Sequence, residues 1–77
     1  MIGKKRKNDR VAVIGAGSWG TTLALLLHGK GCEVTLWEFF REQADRLREE
    51  RENKRFLPGV PIPVGVRITS DLEAALE

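Results

Sequence analysis

At 77 residues the chain is at most one small domain, and a chain of that size buries only about 60% of its unfolded surface. Its balance of 42% hydrophobic and 31% charged residues is that of a globular chain, with no run of transmembrane length; a single cysteine, Cys32, excludes an internal disulfide and points to a reducing cytoplasm. The formal charge of +2 is unevenly spread: residues 1–10 carry five bases and one acid, the remaining 67 eight bases and ten acids, so the basic excess belongs to a leader and not to a fold.

Residues 1–9 read as a disordered basic tail. Clustered lysines attract phosphates, but no aromatic is interleaved and no helical face forms, so neither nucleic acid nor membrane is expected as a partner. A secretory signal is excluded because the apolar run Val11 to Ile14 is too short and a glycine turn interrupts it.

Val11 to Ile14 lacks polar alternation, as a parallel strand covered on both faces does. It leads into Gly15, Gly17 and Gly20, the G-x-G-x-x-G spacing of a dinucleotide-binding turn. Gly15 lets the chain turn off the strand, Gly17 lets backbone approach a pyrophosphate, and Gly20 lets the following helix pack closely. Main-chain N–H groups around Ser18 and Trp19 then sit at a helix N-terminus, where free donors and the dipole favour an anion. The fingerprint alone is weak; the strand before it and the helix after it give it weight.

That helix is predicted from Ser18 to Lys30, with Leu23, Ala24, Leu26 and Leu27 facing the sheet. Gly29 and Gly31 end it, one of them as a C-cap. His28 is expected at the surface, and Cys32 half-buried at the entrance of the next strand. Glu33 to Glu38 forms that second strand. Glu38 lies 18 residues after Gly20, close to the roughly 20-residue offset at which a carboxylate meets the cofactor ribose. Phe39 and Phe40 follow at the crevice edge.

Arg41 to Arg55 is predicted as a charged helix whose narrow apolar stripe holds Ala44 and Leu47. Phe56 to Pro63 contains three prolines, which remove donors and fix φ, so an ordered loop or extended connector is expected. Val64 to Thr69 reads as a third strand, and Ser70 with Glu73 as a capping box opening a last helix. The order gives an α/β fold, a Rossmann-type βαβαβ(α) half with parallel sheet order 3-2-1, truncated. Residues 10–77 are accordingly expected to be part of a dinucleotide-binding domain, which usually needs about twice this length. The free side of the first strand would be an apolar edge, open to pairing with another chain or to homo-oligomerisation, and would leave the isolated chain marginally stable.

The segments Gly15 to Ala24 (G-A-G-S-W-G-T-T-L-A), V-T-L-W in the second strand, Arg51 to Val60 (R-E-N-K-R-F-L-P-G-V) and Ile68 to Leu72 (I-T-S-D-L) closely resemble bacterial NAD(P)-dependent glycerol-3-phosphate dehydrogenase. That resemblance implies a cytoplasmic oxidoreductase reducing dihydroxyacetone phosphate to sn-glycerol 3-phosphate for phospholipid synthesis. It also implies cofactor contacts at Ser18 and Trp19. The family's catalytic lysines and substrate-phosphate groups fall beyond this segment, so no catalytic residue is assigned. A small phosphorylated substrate is expected only for the full-length enzyme, the segment alone being inactive.

Where many members place basic residues for the 2′-phosphate of NADP, this chain has Phe39 and Phe40 after Glu38. A carboxylate accepts from both ribose hydroxyls of NAD and repels a 2′-phosphate, so NAD is the expected cofactor. NADP stays open because Arg41 is near enough to offer a substitute charge. Phe39 is expected to cover the adenine face and Phe40 to be a hydrophobic cover on the next helix; Phe56 to Gly59 would line the cleft or simply pack. The alternatives are another NAD(P)- or FAD-dependent oxidoreductase domain, though FAD modules usually continue with a Gly-Gly turn, or a non-catalytic nucleotide-binding module.

Overall fold

A computed structural model of the chain describes residues 9–77. The basic tail expected at residues 1–9 therefore lies outside the described residues, except for Asp9, whose carbonyl accepts from the Glu33 N–H at 2.8 Å.

Eight elements follow in order: β1 (Arg10–Ile14), α1 (Ser18–Gly29), β2 (Glu33–Trp37), α2 (Arg41–Glu50), β3 (Glu52–Asn53), β4 (Leu57–Pro61), β5 (Arg67–Thr69) and α3 (Leu72–Leu76). Strands β1, β2 and β5 form one parallel sheet in that order, which is the predicted 3-2-1 arrangement. The register aligns Val13, Leu36 and Ile68 across the sheet, and one residue on, Ile14, Trp37 and Thr69.

Period-two alternation gives the sheet two different faces. Val13, Val34, Leu36 and Ile68 are buried in one cluster with Ala16, Ala24, Ala44, Leu47, Ile62 and Val66, so this face carries the core. Fully burying a side chain such as Leu36 contributes about 1.5–3 kcal/mol. The short α3 contacts β2 and β5, and its Ala75 is buried outside the main cluster.

Several boundaries differ from expectation, each for a local reason. Helix α1 stops at Gly29 because the chain makes a Schellman turn: Gly31 takes φ +92, its N–H donates to His28 O, and the Cys32 N–H donates to Leu27 O. This turn folds Cys32 under the helix end, so it is fully buried and not half-buried. His28 is half-buried against Gly65 instead of lying free at the surface.

On α1 the buried positions are Thr21 and Ala24, while Leu23 and Leu26 are 47% and 58% exposed. The apolar stripe is wider than three strands can cover, and these two leucines overhang the free edge of β1. Helix α2 ends at Glu50, not Arg55, because Arg51 adopts the left-handed conformation at φ 52. Its guanidinium donates to Val66 O at 2.7 Å and Pro63 O at 3.1 Å, contacts that offset the cost of that conformation.

The proline-rich segment is more than a connector. Leu57–Pro61 pairs antiparallel with Glu52–Asn53 in a separate two-stranded ribbon, an edge position where proline is tolerated. Strand β5 begins at Arg67, not Val64, since Val66 N–H closes a turn onto Pro63 O. Helix α3 is capped by Asp71, whose carboxylate accepts from the Ala74 N–H; the Ser70 box is one residue out of place.

Candidate dinucleotide-binding site

The parallel register brings the C-terminal ends of β1 and β2 level, and main-chain bonds carry that alignment into the loops. Gly15 N–H donates to Trp37 O and Glu38 N–H to Thr69 O, both at 2.9 Å. The glycine turn and Glu38 therefore leave the same edge of the sheet side by side. This is the position where open α/β sheets bind ligands.

Each glycine meets a different demand. Gly15 has φ +110, a conformation that L side chains rarely adopt. A Cβ at Gly20 would stand 1.8 Å from Gly15 O, so the first turn of α1 rests directly on the carbonyl of the loop beneath it. A Cβ at Gly17 would meet nothing within 4 Å, which makes that position a bare approach to open space.

Gly17 is the N-cap of α1 and offers no side-chain acceptor. The first bond of the helix runs from Thr21 N–H to Gly17 O at 3.0 Å, which leaves the N–H groups of Ser18, Trp19 and Gly20 ahead of the helical ladder. Free donors and the positive end of a helix dipole together favour an anion at such a terminus.

Two hollows flank this ridge of amides. One, of about 490 Å³, is lined by Ala16, Gly17, Phe40, Gln43 and Phe56 together with the acids Glu38 and Glu42 and the bases Arg46 and Arg55. The other, of about 550 Å³, runs along the free edge of β1 beneath Trp19, Leu23 and Leu26. Gly17 and Glu38 thus share a cleft. Gly15, Trp19 and Gly20 face the second hollow, and Trp19 is 86% exposed. Ser18 is exposed between them.

Glu38 is half-buried, and one of its oxygens accepts from Phe40 N–H at 3.0 Å, which tightens the entry to α2. A carboxylate has about four lone-pair sites, so capacity for a ligand remains. Phe39 is exposed and meets Trp37 and Phe40 edge to face, whereas Phe40 stands in the cleft wall. Arg41 does not line the cleft; Arg46 and Arg55 do, with Arg46 directed at Gln43 Oε1 and Arg55 over the Phe56 ring.

Sequence reasoning passed over Asn53, which is fully buried and donates to Ala16 O in the glycine turn. Its signal was present in the E-N-K-R-F-L-P-G segment, but within the expected helix Arg41 to Arg55 a lone asparagine reads as part of a solvated face until the ribbon folds it inward. Among the described residues no group of three or more acidic, cysteine or histidine side chains could hold a metal ion, and no helix is long and apolar enough to cross a membrane.

Comparison with known proteins points to one family. The family described as "NAD-dependent glycerol-3-phosphate dehydrogenase N-terminus" matches residues 10–77. A glycerol-3-phosphate dehydrogenase [NAD(P)+] from Pelotomaculum thermopropionicum is 52% identical over 69 residues, covering 90% of this chain and 20% of that protein. One from Geobacter sp. strain M21 is 54% identical over 67 residues, covering 87% and 20%. The crystal structure of glycerol-3-phosphate dehydrogenase from Coxiella burnetii superposes with a TM-score of 0.85 at 41% identity, covering 92% of this chain and 22% of that one. The chain spans about one fifth of the length of these relatives. By its Rossmann-type sheet, its glycine turn and these matches, the chain belongs to the NAD-dependent glycerol-3-phosphate dehydrogenase family, as its N-terminal, NAD-binding domain.

Proposed function

We propose that this chain grips the diphosphate and adenosine of the cofactor for an enzyme that reduces dihydroxyacetone phosphate to sn-glycerol 3-phosphate with NAD(P)H, feeding phospholipid synthesis in the cytoplasm. The observation that carries the reading is the bare Gly17 beside the unladdered N–H groups of Ser18, Trp19 and Gly20, with Glu38 in the same cleft. A diphosphate seated on that ridge has an adenosine-sized hollow on one side. The other side is the apolar hollow under Trp19, towards which the nicotinamide half would extend.

Within that assignment the site residues divide the work. Gly15 and Gly20 shape the turn, Gly17, Ser18 and Trp19 meet the phosphates, Glu38 accepts from the ribose hydroxyls, and Phe40 in the cleft wall and Phe39 at its rim provide aromatic cover. We infer NAD in preference to NADP because a carboxylate at Glu38 repels a 2′-phosphate, while Arg46 and Arg55 across the cleft temper that preference. The hydride comes from the cofactor, and the remaining parts of the enzyme position the ketone and its developing oxyanion. Those parts and the site of the phosphorylated substrate are expected in the four fifths of the relatives' length that this chain does not span, while the free edge of β1 stays a candidate for a homo-oligomer contact. Residues 10–77 are on this reading a partial cofactor-binding domain following a basic leader.

Titration calorimetry with ADP-ribose tests the reading. Gly17→Val places three carbons where the diphosphate must approach, at a position whose Cβ would meet nothing within 4 Å. Binding is expected to vanish while the thermal midpoint falls by no more than corresponds to the ~1 kcal/mol that valine costs at an N-cap. Equal affinity for the variant and the parent would refute the site.

A further inference from the structure

The loop carbonyl next to Gly17 is held from beneath by a single side chain. Asn53 is completely buried, and its Nδ2 donates to Ala16 O at 2.8 Å and to Thr21 Oγ1 at 2.9 Å, while its Oδ1 accepts from Phe56 N–H at 3.2 Å. A carbonyl can only accept and a main-chain N–H can only donate, so one orientation of the amide satisfies all three bonds. A trans peptide sets its C=O and N–H on opposite sides. Anchoring Ala16 O therefore turns the Gly17 N–H away from Asn53, and no main-chain group among the described residues accepts from it. The opposite end of the same amide fixes the backbone of Phe56, which lines the cleft beside Gly17.

We propose that Asn53 is a positioning residue for the cofactor: by clamping Ala16 O it presents the Gly17 N–H to the diphosphate, and it ties the Phe56 wall of the cleft to the same anchor. The inference rests on the dinucleotide reading above and adds a residue on a separate ribbon, 33 positions after Gly20, to the phosphate-binding turn. Thr21, buried in the first turn of α1, is the third point of this anchor. Phosphate turn, helix start and adenosine wall are thus fastened to one amide.

Asn53→Asp separates the roles. A carboxylate of the same shape still accepts from Phe56 N–H and can accept from the Thr21 hydroxyl, but once ionised it has no proton for Ala16 O and repels that carbonyl, so the titrations are run at pH 8, where the clamp on the turn is lost. The experiment follows the ¹⁵N-labelled chain residue by residue during titration with ADP-ribose, and in parallel with adenosine, which carries no phosphate. In the parent, the Gly17 amide is expected to move together with those of Ser18 and Trp19. In Asn53→Asp, the amides of Val34, Leu36 and Ile68 should keep their positions, ADP-ribose affinity should fall at least tenfold, and adenosine affinity should change less than twofold. A folded variant that binds ADP-ribose within twofold of the parent would overturn the proposal. So would a parent spectrum in which Ser18 and Trp19 respond and Gly17 does not, a measurement that decides the matter even if the variant fails to fold. If no amide from Gly15 to Gly20 responds in the parent, the dinucleotide reading falls, and this inference with it.

Discussion

Replacing Gly20 by alanine should destabilise the chain although helix propensity alone points the other way. In a free helix the exchange gains about 1 kcal/mol. Here the new methyl would sit 1.8 Å from Gly15 O and 3.0 Å from Gly15 C, and both obstacles are backbone. A carbon needs about 3.3 Å from a carbonyl oxygen, so α1 and the turn must part by roughly 1.5 Å. Overpacking of this kind costs about 1–3 kcal/mol. The movement also pulls Thr21 off Asn53, now bonded at 2.9 Å, and a buried amide left with a free proton costs about 1–3 kcal/mol more. Set against the propensity gain, the net loss is about 3 kcal/mol out of the ~4–12 kcal/mol expected for a chain of this length. At ~4–8 °C per kcal/mol the thermal midpoint, followed by far-ultraviolet circular dichroism, should drop by about 12–24 °C. A midpoint equal to or above that of the parent would refute the close approach of helix and turn.

The same substitution at Gly29, where a Cβ meets nothing and φ is not positive, should instead raise the midpoint, the gain being about 0.5–1 kcal/mol; a drop of similar size would show that the end of α1 is packed. Leu36→Ala empties the fully buried centre of the middle strand and should cost about 2–5 kcal/mol, read as a lower urea midpoint; a shift under 1 kcal/mol would mean that the sheet is not the core. Glu38→Ala removes a charged acceptor worth about 1.5–3 kcal/mol to a bound ribose, so the ratio of NAD to NADP affinity should fall by about tenfold or more. An unchanged ratio in calorimetric titrations would remove Glu38 from the ribose site.

Much of this architecture could be read before folding because its signals are local. Glycines at 15, 17 and 20 mark a backbone that must turn, stay bare and pack closely, and these needs arise within six residues. An apolar strand, a helix and a second strand closed by Glu38 then imply a parallel pair whose ends lie level, and the register bears this out. The segments that were misjudged depend on partners far along the chain. Arg51 leaves the helical conformation because the carbonyls of Pro63 and Val66 receive its side chain, and Leu57–Pro61 becomes a strand because Glu52–Asn53 folds back beside it.

The sequence by itself determined the kind of site: main-chain donors at a helix start with an acid one strand away, since both follow from residue spacing and from the two backbone periods. Only the tertiary structure decided which side chains surround it. Phe40 lines the cleft while Phe39 packs at the rim, Arg46 and Arg55 face the cleft instead of Arg41, and Asn53 holds the turn from the interior. Burial and hydrogen bonding between distant segments choose those neighbours, and an amide 37 residues from the carbonyl it clamps leaves no periodic trace in the chain.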